Sequence, residues 1–401
     1  MDGSAMNLSN DLPAAAGGGL ARLRISVVTE TWPPEVNGVA MTIHRMVEGL
    51  SAHHDVTLIR LRQGGVDRGV GIDGVDTLVL RGMPLPRYHE LRMGLPCTGL
   101  LKRRWRRERP DVVHIVTEGP LGWSAVRAAG ALNIPVVSDF HTNFHQYTAH
   151  YGLGPLMPVA LRYLRTLHNR TRLTLVPTRS LVIELERQGF RRLEVLARGI
   201  DTDQFHPRHR RADLREAWGA GADDRVMLMV SRVAPEKNLP LALRAYEHAR
   251  EQVPGARMVV VGDGPARRDL AAAHPEVHFA GMQTGAALAE HYASADIFLF
   301  PSLSETFGNV TLEAMASGLA VLAFDYAAAR EHIVDGRNGR TVACSDSEGF
   351  VRTSTELAAD RAQAARLAAA ARETTLELDW SRICRRHEQI LQRLCQEPAG
   401  G

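Results

Sequence analysis

VMLMVSRVAPEKNLPLALRAYEHA, residues 226–249, decides the fold. An unbroken apolar run of strand length passes through a short polar loop into a longer amphipathic stretch, the unit from which parallel sheets with crossover helices are built. The unit recurs downstream in RMVVVGDG, VHFAG, IFLFPS and AVLAFD, each separated from the next by about ten to fifteen residues of helical pattern. It recurs upstream in LRISVV, VTLIRL, DVVHIV, PVVSDF and LTLVPT, which with their helices fill residues 23 to 198. Two series of this kind predict an α/β chain of two doubly wound, Rossmann-like domains facing each other across a cleft.

Between the series, HPRHRRADLREAWGAGADD is charged, carries Pro207, Gly219 and Gly221, and offers no strand. The expected division is therefore a flexible Gly/Ala-rich tail at 1–21, a first domain at 22–205, a linker at 206–222 and a second domain at 223–375. Residues 376–398 are expected to form a terminal helix, with Trp380, Ile383, Ile390, Leu391 and Leu394 on one face that needs a surface to cover it. In open α/β sheets ligands sit outside the carboxyl ends of the strands, which puts the site between the domains.

The 401 residues are 45% hydrophobic and 23% charged, enough for large cores and unlike a disordered chain. Four cysteines without a Cys-x-x-Cys pair exclude a disulfide scaffold and a cysteine-rich zinc module. No secretory leader pattern and no apolar run of membrane-spanning length are present, so the reading is a cytoplasmic protein. Residues 1–200 carry 25 basic and 17 acidic side chains, against 23 and 28 in the remainder, so the halves face different electrostatic tasks. Lys102 and Lys237 are the only lysines beside 46 arginines, which draws attention to both.

Arg232 stands at the carboxyl end of a predicted strand and Lys237 five residues on, just before a helix. Two cations so placed can converge on a diphosphate, or can simply be a solvated turn. In IFLFPSLSETFGNVTLEAMASG, Glu305 falls in the loop and Glu313 inside the next helix. Both can accept hydrogen bonds from sugar hydroxyls while the free N–H groups of Gly308, Asn309 and Val310 bind phosphate; Glu313 can equally stabilise its own helix N-terminus. Gly38, after TETWPPEVN, opens an amphipathic helix and lets a ligand approach the backbone, or belongs to an ordinary turn. There is no G-x-G-x-x-G, which argues against a dinucleotide-dependent dehydrogenase.

Asp139 and His141 follow a strand in SDFHTNFHQYTAHY. His141 and His145 have the spacing of one edge of a zinc site, but no third ligand accompanies them, and no metal is assigned. His141 can instead contact a ligand through a ring nitrogen, or cap a helix. LLKRRWRRERP (100–110) and PLMPVALRYLRTLHNRTR (155–172) read either as basic amphipathic helices resting on anionic lipid or as solvated faces. No nucleic-acid motif accompanies the charge, and no nucleic-acid partner is expected.

PPEVNG, SDFHTNF, PTRSL, ARGID, SRVAPEKN, VGDGP and ETFGNVTLEAMASG occur in this order over residues 23–396. Together they resemble the retaining glycosyltransferases of GT-B fold in the large fourth family, group 1, and look closest to GDP-mannose-dependent α-mannosyltransferases. The resemblance implies a hexosyl transfer, first of all α-mannosyl, from a nucleotide-sugar donor such as GDP-mannose to a lipid or glycan hydroxyl. Arg232, Lys237 and the helix N-termini can hold a leaving diphosphate without a divalent metal, so no metal or cofactor is expected. The basic first domain serves either a peripheral seat on an anionic membrane or attraction of the anionic donor. At matching positions the resemblance implies that Gly38 approaches the donor diphosphate, Arg232 and Lys237 neutralise it, Glu305 holds the donor sugar and Glu313 the ribose. His141 would lie near the transferred sugar, with Gly308, Asn309 and Val310 giving backbone contacts. A GT-B sugar-nucleotide epimerase or phosphorylase and a catalytically idle nucleotide-binding scaffold are the competing readings.

Overall fold

The computed structural model describes residues 21–35, 38–63, 71–85, 88–141, 157–305 and 307–397. The expected tail falls outside them but for Ala21, as do His145 and His150.

In chain order the first half contributes β1 (Arg24–Thr29), β2 (Asp55–Leu61), β3 (Asp76–Leu80), the antiparallel pair β4 (Gly82–Leu85) and β5 (Tyr88–Gly94), then β6 (Val112–Ile115), β7 (Val136–Asp139), β8 (Leu173–Val176) and β9 (Leu193–Val195). Seven of these form one parallel sheet in the order β3-β2-β1-β6-β7-β8-β9. The second half adds β10 (Arg225–Val230), β11 (Ala256–Val261), β12 (His278–Gly281), β13 (Ile297–Phe300), β14 (Ala320–Phe324) and β15 (Arg340–Val342), parallel in the order β12-β11-β10-β13-β14-β15. In each sheet the order reverses beside the first strand, between β1 and β6 and between β10 and β13. The connections leaving those strands must part to opposite faces, and a crevice opens at their carboxyl ends.

The central strands are buried because helices cover both faces. β13 and β14 are buried at every position, with Tyr292, Leu312 and Met315 on one side and Tyr246, Phe350 and Leu357 on the other. Burying side chains of this size contributes about 1.5–3 kcal/mol each.

The segment 206–222 is not a free linker. It forms a short helix, Ala212–Ala217, whose buried Arg215 donates to Asp296 Oδ2 at 3.0 Å and to the carbonyls of Ser294, Gly221 and Asp224 at 2.9 Å. Trp218 and Ala220 enter the second core. Its charge serves internal hydrogen bonding. The crossing lies earlier, where Ile200 exchanges backbone hydrogen bonds with Leu378 (2.9 Å) and Trp380 (3.3 Å), so the outgoing and returning chains run side by side.

The returning chain ends in the helix Trp380–Gln396. Ile383, Ile390, Leu391 and Leu394 pack among Leu23, Ile25, Ile43, Met46 and Leu50 of the first domain. Gly49 permits the approach: a Cβ there would lie 2.5 Å from Cys384 Sγ.

Candidate functional site

The loops leaving β10 and β13 meet because those strands are neighbours. Lys237 closes a 3-10 turn, Pro235–Lys237, before the helix Leu239–Gln252. Its Nζ lies 2.5 Å from Glu305 Oε1 and donates to the Ser304 carbonyl at 3.2 Å. The same carboxylate oxygen accepts from Ser302 Oγ at 2.7 Å, and the Glu305 carbonyl accepts from the Tyr326 hydroxyl at 3.2 Å. Lys237 and Glu305 keep only 15% and 14% of their side chains exposed, so their attraction is poorly screened by water. Arg232, 66% exposed, pairs instead with Glu236 four residues on. The two cations thus share a loop but stand in separate ion pairs.

Gly308 has φ 87° and ψ 56°, a left-handed conformation that disfavours a Cβ, and it leads into the helix Asn309–Ala316. The Thr311 N–H donates to the Gly308 carbonyl at 3.0 Å, while the N–H groups of Asn309 and Val310 precede any intrahelical acceptor. The Val310 side chain packs against the core, which leaves its backbone for contacts. Glu313 is half-buried one turn further in and accepts from the Tyr292 hydroxyl at 2.9 Å. Burial pushes its carboxyl up to about 7, against the opposing hydrogen bond from Tyr292. That bond to a neighbouring helix, rather than a place in its own first turn, accounts for its position.

On the first sheet, His141 follows β7 and Phe140. Its Nε2 faces Asp139 Oδ2 at 3.5 Å, and its backbone N–H donates to Glu118 Oε1 at 3.4 Å. Asp139 Oδ1 lies 2.8 Å from His114 Nε2, and the rings of His114 and His387 are 4.8 Å apart. Burial pushes the Asp139 carboxyl up, but His114 and His141 outweigh it and hold it well below the carboxylate range. Glu118 is likewise lowered, His168 and His141 outweighing its burial. Glu30, just after β1, accepts from the Leu121 N–H at 2.8 Å at the start of the helix Pro120–Gly130, and burial raises its carboxyl. Gly119 makes room, since a Cβ there would fall 2.1 Å from the Glu30 carboxylate.

Gly38 opens the helix Gly38–Ser51 and joins the two rims. A Cβ on it would stand 3.0 Å from Arg198 Nη1 and 3.9 Å from Asn309 Nδ2. Two helix N-termini, one from each domain, therefore approach one another, with Glu305 Cγ 3.5 Å from where a Cβ of Gly308 would stand and Asp139 near enough to attract Arg198. The sequence reading named Gly38, His141, Lys237, Glu305, Gly308 and Asn309 but assigned nothing to Arg198, Glu30, Glu118 or Tyr292. Glu30 stands directly after β1 and Glu118 three residues after β6, the two strands flanking the order reversal, a signal that strand-end position alone carried.

Among the described residues one His/acid cluster has metal-ligand proximity, Glu247, His274 and Glu276, on the surface of the second domain. In the basic run 100–110, Trp105 is buried in the first core, and Arg104 pairs with Asp76 and Glu108. The helix Thr98–Arg107 leaves Leu100, Arg103, Arg106 and Arg107 outward. Among the described residues no helix is long and apolar enough to cross a membrane.

Residues 36–204 match the model of Glycosyltransferase Family 4 and residues 210–374 that of Glycosyl transferases group 1. The chain is 33% identical to a GDP-mannose-dependent alpha-mannosyltransferase of Mycolicibacterium smegmatis, over 90% of this chain and 95% of that one. It is 27% identical to an alpha-monoglucosyldiacylglycerol synthase of Streptococcus pneumoniae, over 75% and 71%. The sucrose-phosphate synthase of Thermosynechococcus elongatus superposes with a TM-score of 0.75 at 20% identity, over 93% of this chain and 99% of that one. That likeness speaks for the fold, GT-B.

Proposed function

The chain belongs to the glycosyl transferases of group 1 and family 4, and on that premise we propose that it is a retaining, metal-independent α-mannosyltransferase. Its donor in this reading is GDP-mannose and its acceptor a lipid or glycan hydroxyl. The observation that carries it is the convergence of the Lys237–Glu305 pair with the helix N-termini at Gly38 and Asn309.

Breaking a sugar–phosphate bond leaves positive charge on the sugar and negative charge on the phosphate, so catalysis must favour that separated state. Lys237 and the N–H groups of both helices supply fixed positive potential for the leaving diphosphate without a metal ion. The approaching diphosphate displaces Glu305 from Lys237, which frees the carboxylate to accept from donor-sugar hydroxyls. Arg232 exchanges Glu236 for phosphate in the same way. Glu313 and Tyr292 face the ribose, whose hydroxyls donate to the carboxylate. His141, held by Asp139, contacts the transferred sugar.

Once released from Lys237, Glu305 keeps its Ser302 hydrogen bond and takes up the donor-sugar hydroxyls, and Asp139 is held by two histidines, so neither is assigned as a nucleophile. The acceptor oxygen then attacks from the face the diphosphate leaves, and its proton passes to the departing phosphate oxygen. The mannosyltransferase relatives support the donor, and the glucosyldiacylglycerol synthase supports a lipid acceptor. The outward Arg103, Arg106 and Arg107 support seating on anionic lipid.

Incubation with GDP-mannose and a diacylglycerol- or inositol-lipid acceptor, in chelator, tests this. An α-linked product by NMR, formed only when acceptor is present, is expected. A β-linked product overturns retention, loss of turnover in chelator overturns metal independence, and conversion of the donor without acceptor points to an epimerase.

A further inference from the structure

The crossover from the first domain carries Arg198, a residue the mechanism above leaves unused. It is 6% exposed. Its Nε and Nη2 are buried without a hydrogen-bond partner, and among the described residues no carboxylate pairs with it. The Phe307 ring centroid lies 5.4 Å from its Cζ. Asp139 attracts it from a distance, but that carboxylate is already bonded to His114. Burial accordingly pulls the guanidinium down to about 10. A guanidinium taken from water without a counter-charge is costly, and a buried polar group left unsatisfied calls for a partner from outside the chain.

The position of that partner follows from the neighbours. Arg198 Nη1 reaches to 3.0 Å from where a Cβ of Gly38 would stand, beside Asn309 Nδ2. Arg198 Nη1 and the Asn309 amide thus lie at the approach of the two helix N-termini, and among the described residues no carboxylate pairs with Arg198 there. A tetrahedral oxyanion suits such a set, and the planar guanidinium can hold two of its oxygens at once.

We propose that Arg198 binds the distal, sugar-linked phosphate of the nucleoside diphosphate donor, as a third cation beyond Arg232 and Lys237. This rests on the donor reading above. When the bond between the anomeric carbon and the phosphate oxygen breaks, its electron pair goes to that oxygen, and Arg198 holds the resulting charge. The acceptor oxygen bonds to the anomeric carbon and its proton moves to the phosphate.

Isothermal titration of the whole protein with GDP, UDP and ADP, and with GMP, UMP and AMP, tests it in the wild type, Arg198→Gln and Arg198→Lys. We expect Arg198→Gln to lose about tenfold to hundredfold in affinity for the preferred diphosphate and none for its monophosphate. Arg198→Lys recovers part of the loss. The melting temperature without nucleotide should hold or rise in Arg198→Gln, since an uncompensated charge is removed. Equal losses for diphosphate and monophosphate, unchanged diphosphate affinity, or a lowered melting temperature with an unchanged diphosphate preference each overturn the assignment to Arg198. If the wild type binds none of the three diphosphates, the donor reading itself falls and takes this one with it.

Discussion

The two rims of the cleft are built by the same device, the carboxyl ends of a parallel sheet at its reversal of strand order, yet they treat buried charge in opposite ways. On the first rim the acids are answered inside the protein: Asp139 by His114 and His141, Glu118 by His168, Glu30 by a helix N-terminus. On the second rim each cation forms an ion pair with a carboxylate of the neighbouring loops, Lys237 with Glu305 and Arg232 with Glu236. A network with several fixed partners resists rearrangement, whereas a single pair can be exchanged for a phosphate of equal sign and better fit. The first rim therefore orients, and the second rim trades.

The sharpest way to break this contrast is Lys237→Ala. It removes the exchangeable cation and leaves Glu305 poorly compensated, and kcat/KM should fall about hundredfold or more. Initial rates with donor and acceptor would check it, and a variant within a few-fold of wild type would show that the second rim does not carry the phosphate.

Asp139→Asn addresses the orienting rim. The His114 and His141 rings lose their shared carboxylate, and kcat should drop about tenfold to hundredfold with donor KM little changed. A rise in donor KM at constant kcat would move Asp139 to the trading side.

The rims should also answer pH in opposite directions. Glu313 titrates near 7 in the folded chain and about 4.3 when unfolded. Its contribution is thus complete below about 4.3 and lost as pH rises towards 7. His387, packed beneath His114, is lowered to about 3, chiefly by burial, from about 6.5 unfolded. It contributes fully above about 6.5 and loses that contribution as pH falls towards 3. In chemical denaturation Glu313→Gln should flatten the neutral-side slope and His387→Phe the acid-side slope, each by about 1–3 kcal/mol across its window. Identical slopes in both variants would dissolve the contrast. Nucleotide should raise the ionisation of Glu313, so donor affinity should increase as pH climbs through 7.

The smallest effect belongs to Glu236→Gln. Its partner Arg232 is largely exposed, and stability should change by no more than about 0.5 kcal/mol. A larger loss would mean that this pair is structural rather than exchangeable.

Much of the second rim was legible before folding because its signals are local. An apolar run ends, a cation follows, a glycine opens a helix, and a carboxylate stands one turn on; spacing alone places these near a strand end. What could not be read was who faces whom. Arg198 stands in ARGID among 46 arginines, and nothing nearby in sequence says that Gly38 and Asn309 close over it. The same blindness made residues 206–222 look like a linker, since Arg215 takes its meaning from Asp296, 81 residues away. The basic run LLKRRWRRERP likewise hid that its Trp105 turns into the first core.

The amino-acid order by itself determined the alternation of strands and helices, the two sheets that alternation must form, and the family that its motifs resemble. These depend on periodicity and on local backbone preference, which act within a few residues. The tertiary structure alone decided which charges are spent inside the protein and which are kept for a ligand. That depends on Coulomb attraction and desolvation, which are set by distance in space, and distance in space exists only once the two sheets have closed on each other.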